Sequence, residues 1–301
     1  MDKKNTGLLL VFITACISGV SIFINSYGVK GFDSSVFTFS KNLVVAVFLF
    51  AVMLGFGLLK ELKTLTRKQW IRLAFIGLVG GAIPFLLYFK GLTMADASTA
   101  SFIHKLLFLF VTVFAVTLLK EKMNKYFFIG ASLLILGTAV FVLPKISWSM
   151  GILLILIATM MWGFENVLAK NMTNKLSGTT VAFGRMFFGS LFILLFLLVT
   201  GKALLLTSMS TAQYGWIAIT SLFLFGYVMT YYNGMKNISI IQASCVLTLG
   251  APITTLLSYF WKGTAVVFHQ WVGMLIILAG ISIILLLDQQ KEQTHLARET
   301  V

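Results

Sequence analysis

Five side chains able to carry charge stand inside stretches otherwise built of apolar residues: Lys41, His104, Lys105, Glu165 and Arg185. A charge in hydrocarbon is expensive, so each calls for a partner or a function. Glu165 and Arg185 lie ten residues either side of Lys175. In a helical hairpin turning near Lys175 they reach equal depth and can pair. The pairing has two readings: an ion pair locking two helices, or a proton or cation site at Glu165 tuned by Arg185. Lys41, His104 and Lys105 form a second group with no acid of their own. Either the lysines snorkel towards the headgroups, or an anionic group is meant to sit there. The anion reading makes Lys41 and Lys105 substrate ligands, with Glu165 and His104 as candidates for proton coupling.

Uncharged polar residues add direction. Thr14, Ser18, Ser21 and Asn25 follow one another at intervals of four, three and four, on one face of a helix. Ser98, Ser101 and Lys105 share a face in the same way. Such faces serve either helix packing or a substrate path. Trp162 and Asn166 flank Glu165, while Tyr88 and Tyr231 add aromatic surface; Tyr227, Tyr232 and Asn233 lie close by. Aromatics beside polar stripes suit an organic substrate, although interfacial belts use the same residues. The expected substrate-binding set is therefore Lys41, Lys105, Ser101, Ser21, Asn25, Trp162, Asn166, Tyr88 and Tyr231. Pro84 after Gly80-Gly81, and Ala251-Pro252, mark bends that free carbonyls towards a cavity or towards neighbouring helices.

The elements that position these groups follow from composition. Of 301 residues, 59% are hydrophobic and 11% charged, with a mean hydropathy of +0.98. Soluble domains carry roughly 25% charged residues, and such a low charge fraction cannot clothe a soluble surface. Apolar runs occur at about 7–26, 35–59, 70–90, 97–119, 125–143, 150–170, 178–200, 213–234, 240–261 and 269–287, each near the roughly 20 residues that span a bilayer. An all-α integral membrane protein with ten transmembrane helices is predicted, with no room for an extramembrane domain. Residues 288–301 read as a polar tail without evident structure.

Lysine and arginine favour the connections on the side of the N-terminus by roughly three to one. That bias predicts a multi-pass protein of the plasma (inner) membrane with both termini in the cytoplasm. The net charge of +14 is then a topology signal, and nucleic acid is not an expected partner.

The chain also repeats itself. A shift of 144 places Gly7 on Gly151, Gly19 on Gly163, Phe39 on Phe183, Lys41 on Arg185, Gly57 on Gly201 and Gln69 on Gln213. After a one-residue slip, Tyr88 meets Tyr231, Gly91 meets Gly234, Ala100-Ser101 meets Ala243-Ser244, Gly130 meets Gly273 and Gly137 meets Gly280. Residues 1–145 and 146–287 are thus read as two copies of a five-helix unit. Because five is odd, the second copy enters the membrane from the opposite side, an inverted-topology repeat suited to alternating access.

The run from Gly91 to Ser101, Leu119-Lys120-Glu121-Lys122, Gln242-Ala243-Ser244, Ala251-Pro252 and Trp162-Gly163 resemble the drug/metabolite transporter superfamily, in particular its EamA-type ten-helix permeases. The resemblance covers about 7–287, with one departure: the family's Gly-Glu after a repeat's fourth helix survives as Lys120-Glu121 but becomes Gly263-Thr264 in the second copy. It implies a carrier for small metabolites with a cavity between the halves. The reading that follows is export of an amino acid or other carboxylate-bearing solute. Proton-coupled efflux of cationic amphiphiles, with Glu165 as counter-charge, is the alternative. No His-Glu-x-x-His or Gly-x-Ser-x-Gly occurs, so an intramembrane enzyme is a remote reading, and a channel suits inverted halves less well. No cofactor or metal is expected. The expected partners are the lipid bilayer and a small-molecule substrate, with a homodimer as a further reading.

Overall fold

The computed structural model describes the backbone of 2–28, 32–95, 97–144 and 148–299, and side chains as far as Leu285 except at 26, 28, 97 and 98. Lys30, Lys145 and the side chains of Ser98, Lys291 and Arg298 lie outside the described residues. The described residues are helical, in the order α1 (Lys3–Gly28), α2 (Ser34–Gly55), α3 (Leu59–Thr64), α4 (Arg67–Ile76), α5 (Ile83–Leu92), α6 (Ala97–Lys105) and α7 (Leu107–Leu118). There follow α8 (Lys125–Val142), α9 (Met150–Thr173), α10 (Gly178–Val199), α11 (Thr211–Met235), α12 (Ile240–Val246), α13 (Gly250–Lys262) and α14 (Phe268–Glu299).

Among the described residues, ten segments are long and apolar enough to cross a membrane. Three are composite. The third span joins α4 to α5 through a π-helical turn, Gly77–Ala82. The fourth breaks at Leu106, between α6 and α7. The ninth joins α12 to α13 through a 3-10 turn, Leu247–Leu249. Pro252 sits in the first turn of α13, where its missing N–H costs little, so the bend falls before it. The polar tail is a correction: α14 continues as helix to Glu299.

Repeat-related residues do the same structural work in both halves. Gln69 and Gln213 each close a capping box, with Thr66 and Ser210. Asp33 and Ser177, one repeat apart, cap α2 and α10. Gly57 and Gly201 both adopt left-handed φ values, 70° and 71°, just beyond those helices.

The halves interlock. α1 packs on α11 and α13, and α9 packs on α5 and α7, while α2 meets α10, α8 meets α14 and α7 meets α12. Apart from α7–α12, exchanging each helix for its repeat counterpart returns the same pairs, which is the inverted pseudo-twofold expressed as packing. Apart from Gly57 and Gly201, the aligned glycines lie at helix crossings. A methyl group on Gly91 would sit 2.7 Å from the carbonyl oxygen of Gly151, and one on Gly130 would sit 2.8 Å from that of Gly280. Small residues there let backbones approach where no water drives association.

Candidate functional site

The π turn of the third span is the anchor of the site. A π turn shifts the backbone hydrogen-bond ladder and leaves carbonyls to find other partners. The Gly80 carbonyl accepts from Trp162 Nε1 and from Arg185 Nη2, both at 3.0 Å. Asn42 Nδ2 donates to the Gly81 carbonyl at 3.0 Å. The freed carbonyls are therefore met by side chains of α2, α9 and α10 from across the bundle.

Glu165 lies against this turn, 2% exposed. A methyl group on Gly80 would fall 2.2 Å from its Cγ, so the glycine makes the space that the acid occupies. Its Oε1 accepts from the Tyr232 hydroxyl at 2.6 Å and stands 3.6 Å from Arg185 Nε. Arg185 Nε itself makes no hydrogen bond. The guanidinium thus binds a backbone carbonyl directly and faces the carboxylate at a longer distance. The next residue of α9, Asn166, accepts from the Tyr231 hydroxyl at 2.5 Å and donates to the Trp162 carbonyl, one turn earlier, at 2.7 Å.

Trp162 joins this network to a second cluster. Its ring lies 5.4 Å from Tyr88, 5.3 Å from His104 and 5.1 Å from Phe85, and Tyr88 lies 5.2 Å from His104. Lys105 is the last residue of α6, half-buried at the break in the fourth span. Lys41 is half-buried too, its Nζ 4.8 Å above the Phe37 ring one turn earlier in α2. Among the described residues no carboxylate oxygen lies within 4.0 Å of either lysine. Each sits roughly 10–12 Å along its helix from the face opposite the N-terminus, at 1.5 Å per residue.

The structure thus brings Glu165, Arg185, Trp162, Asn166 and Tyr231 into one buried network, and Tyr88 and His104 onto its edge. It does not bring the two lysines into a mutual contact. Ser101 is half-buried on α6. Ser21 and Asn25 are half-buried on α1, where Asn25 donates to Ser21 at 3.3 Å, and the Gly19 carbonyl accepts from Thr254 of the ninth span. The Asn25 Oδ1 is buried without a partner. Also on α1, Thr14 bonds Thr230 at 2.7 Å. Gly80, Asn42 and Tyr232 were not among the expected site residues. The doubled glycine, read only as a bend, was the available signal for the first.

Three contacts close the face that carries the N-terminus. Glu61, on the short helix α3, accepts from the Ser177 amide at 2.7 Å and from the Ser177 and Thr180 hydroxyls. Glu121 accepts from the Ser239 hydroxyl and from the Ile240 amide at 3.2 Å. Both carboxylates cap a helix start in the second half, where the dipole favours negative charge. Lys170 Nζ complements the carbonyl end of α11, donating to Met235, Lys236 and Ile238. The repeat counterparts of Glu61 and Glu121 are Leu205 and Thr264, which cannot do this. On the opposite face Lys202 donates to Asp33 at 2.7 Å. Partial burial works to raise the Asp33 carboxyl, but Lys202 and the Ser35 and Val36 amides prevail and hold it below the usual carboxylate range.

The profile described as the EamA-like transporter family matches residues 5–143 and again 149–286. The uncharacterized transporter YyaM of Bacillus subtilis (strain 168) is 24% identical over 249 residues, 80% of each chain. An uncharacterized transporter of Clostridium kluyveri is 25% identical over 233 residues, 73% of each chain. One protein known from its crystal structure superposes with a TM-score of 0.76 at 19% identity, over 95% of this chain and 98% of that one.

Proposed function

The chain belongs to the EamA-like transporter family, and from that premise we propose that it is a secondary carrier exporting a small organic anion, an amino acid or another carboxylate-bearing solute. The observation that carries this reading is the pair Lys41 and Lys105: two cations within spans, half-buried, with no carboxylate in reach among the described residues. A carboxylate entering from the lysine side would supply the missing charge. Tyr88, His104 and Trp162 would offer its apolar part a wall. Ser101 is positioned one turn from Lys105 to orient it, and Ser21 and Asn25 line the neighbouring face of α1.

Glu165 and His104 are the coupling candidates. Protonating Glu165 would remove the charge facing Arg185 and loosen the contact between α9 and α10. The indole of Trp162 links that change to the rings beside Lys105. The two faces would then alternate. In this reading the Glu61 and Glu121 contacts would hold one face shut, and the Asp33–Lys202 contact would be the corresponding latch on the other. The charge bias supports a reading with the first face in the cytoplasm and the protein in the plasma membrane.

The decisive experiment is counterflow in proteoliposomes with a panel of carboxylates. Exchange driven by substrate inside the vesicle is expected, because a carrier returns loaded. Lys41→Ala and Lys105→Ala should each weaken apparent affinity while the protein remains folded. Unchanged affinity in both variants would remove the anion site. Glu165→Gln should keep exchange but abolish accumulation driven by a proton gradient; loss of cation efflux instead, with carboxylates ignored, would favour the alternative substrate class.

A further inference from the structure

A cavity of about 350 Å³ opens between α4, α7 and α9, at the face carrying the N-terminus. It is separate from the Glu165 network, because residues 164, 168 and 171 project from a different side of α9 than 162, 165 and 166. Its lining includes Arg72, Phe75, Leu118, Phe164, Leu168 and Asn171. The polarity is graded with depth. Arg72 is five residues into α4 and Asn171 two residues from the end of α9, so both lie within about 8 Å of the helix ends. Phe75 and Phe164 lie roughly 12–14 Å from those same ends. Phe75 and Leu118 are 44% and 52% exposed on the outside of the bundle. Phe164 packs at 6.3 Å from Phe75 and 5.4 Å from Phe114, flooring the groove.

The charge at the mouth is one-sided. Arg72 is exposed, and no carboxylate oxygen lies within 4.0 Å of it among the described residues. Two acids in the connections of this face, Glu61 and Glu121, are held on Ser177 and Ser239. Arg67 and Lys68 open α4, and Lys120 and Lys122 stand in the connection after α7. The repeat counterpart of Arg72 is Trp216, so the other half has no equivalent cation.

We propose that this groove binds one anionic phospholipid of the surrounding bilayer, its phosphate on Arg72 and Asn171 and one acyl chain along Phe75, Phe164 and Leu168. A basic pocket between spans selects a negative headgroup over a zwitterionic one, and the apolar floor selects a lipid over a free anion. Because α9 carries both Phe164 and Glu165, the bound lipid would brace the helix that holds the buried acid.

The test is thermal unfolding of the purified full chain in detergent, titrated with phosphatidylglycerol, phosphatidylcholine of the same acyl chains, or inorganic phosphate. Phosphatidylglycerol should raise Tm at concentrations where the other two do not. Arg72→Gln should weaken its apparent affinity about fivefold, the effect of one basic residue at a membrane surface, while Lys68→Gln, outside the lining, should leave it close to wild type. Asn171→Trp, which fills the mouth and keeps Arg72, should also lose the selective shift. Equal stabilisation by both lipids, full stabilisation by phosphate alone, or an undiminished phosphatidylglycerol shift in Asn171→Trp or in folded Arg72→Gln would each overturn the proposal.

Discussion

Glu165 survives in the bundle because three neighbours answer it: Tyr232 donates, Arg185 stands opposite, and Gly80 vacates the volume. The volume is the least forgiving of the three. Gly80→Ala places a carbon where Glu165 Cγ already lies, and the acid must shift away from Tyr232. A loss of about 1–3 kcal/mol is expected, read as a lower Tm, whereas Gly215→Ala, which meets open space, should change Tm little. Tyr232→Phe leaves the carboxylate without its donor and should cost about 1–3 kcal/mol. Combining it with Glu165→Gln should cost less than the sum of the single variants, because both act on one hydrogen bond. The depth match of Glu165 and Arg185 was legible in the sequence, since a hairpin converts distance from a turn into depth. Their other partners were not. Tyr232 arrives from another span, and the acceptor of the arginine is a backbone carbonyl exposed by a π turn, which no side-chain pattern records.

Among the helices, the repeat specifies terminators and interruptions as well as spans. The capping boxes at Thr66–Gln69 and Ser210–Gln213 lie one repeat apart and, by inversion, on opposite faces. Gln69→Ala and Gln213→Ala should each destabilise by ~0.5–1 kcal/mol, and equally, when compared by thermal unfolding. The interruptions at Leu106 and at Leu247–Leu249 are likewise repeat-related. The sequence marked only the second, and marked it late, because a proline is visible whereas a break without Gly or Pro is not. The salt bridge that ties the start of α2 to the connection after α10 gives a pH signature. Lys202 holds the Asp33 carboxyl below its ordinary value, so this stabilisation is complete at neutral pH and disappears as pH falls through that lowered value. Lys202→Met should therefore be less stable than wild type near neutrality, with the two curves converging in acid. A constant gap at all pH values would mean that the lysine acts by packing alone.

As a whole, the molecule is more symmetric in its packing than in its polar contacts. Ten spans and two inverted copies were readable because hydrophobic run length and aligned glycines report directly on bilayer thickness and helix crossings. The latches were not, because Glu61 looks like any acid in a charged connection, and its role lies in reaching the start of α10 from α3. The asymmetry predicts which face resists opening. Glu61→Gln with Glu121→Gln should increase the labelling by aqueous maleimide of a single cysteine placed at Asn166, added from the N-terminal face, in a background where Cys16 and Cys245 are replaced. Unchanged labelling would separate those carboxylates from gating. The interlocked packing also bears on how the protein is made. The larger helix contacts of the first half are with helices that follow residue 150, so during synthesis five inserted spans must wait in lipid until their counterparts emerge from the ribosome. That delay makes each half an obligate client of the other: chains ending at Pro144 and beginning at Trp148 should assemble when co-expressed, and either one alone should be cleared by the quality-control proteases of its membrane.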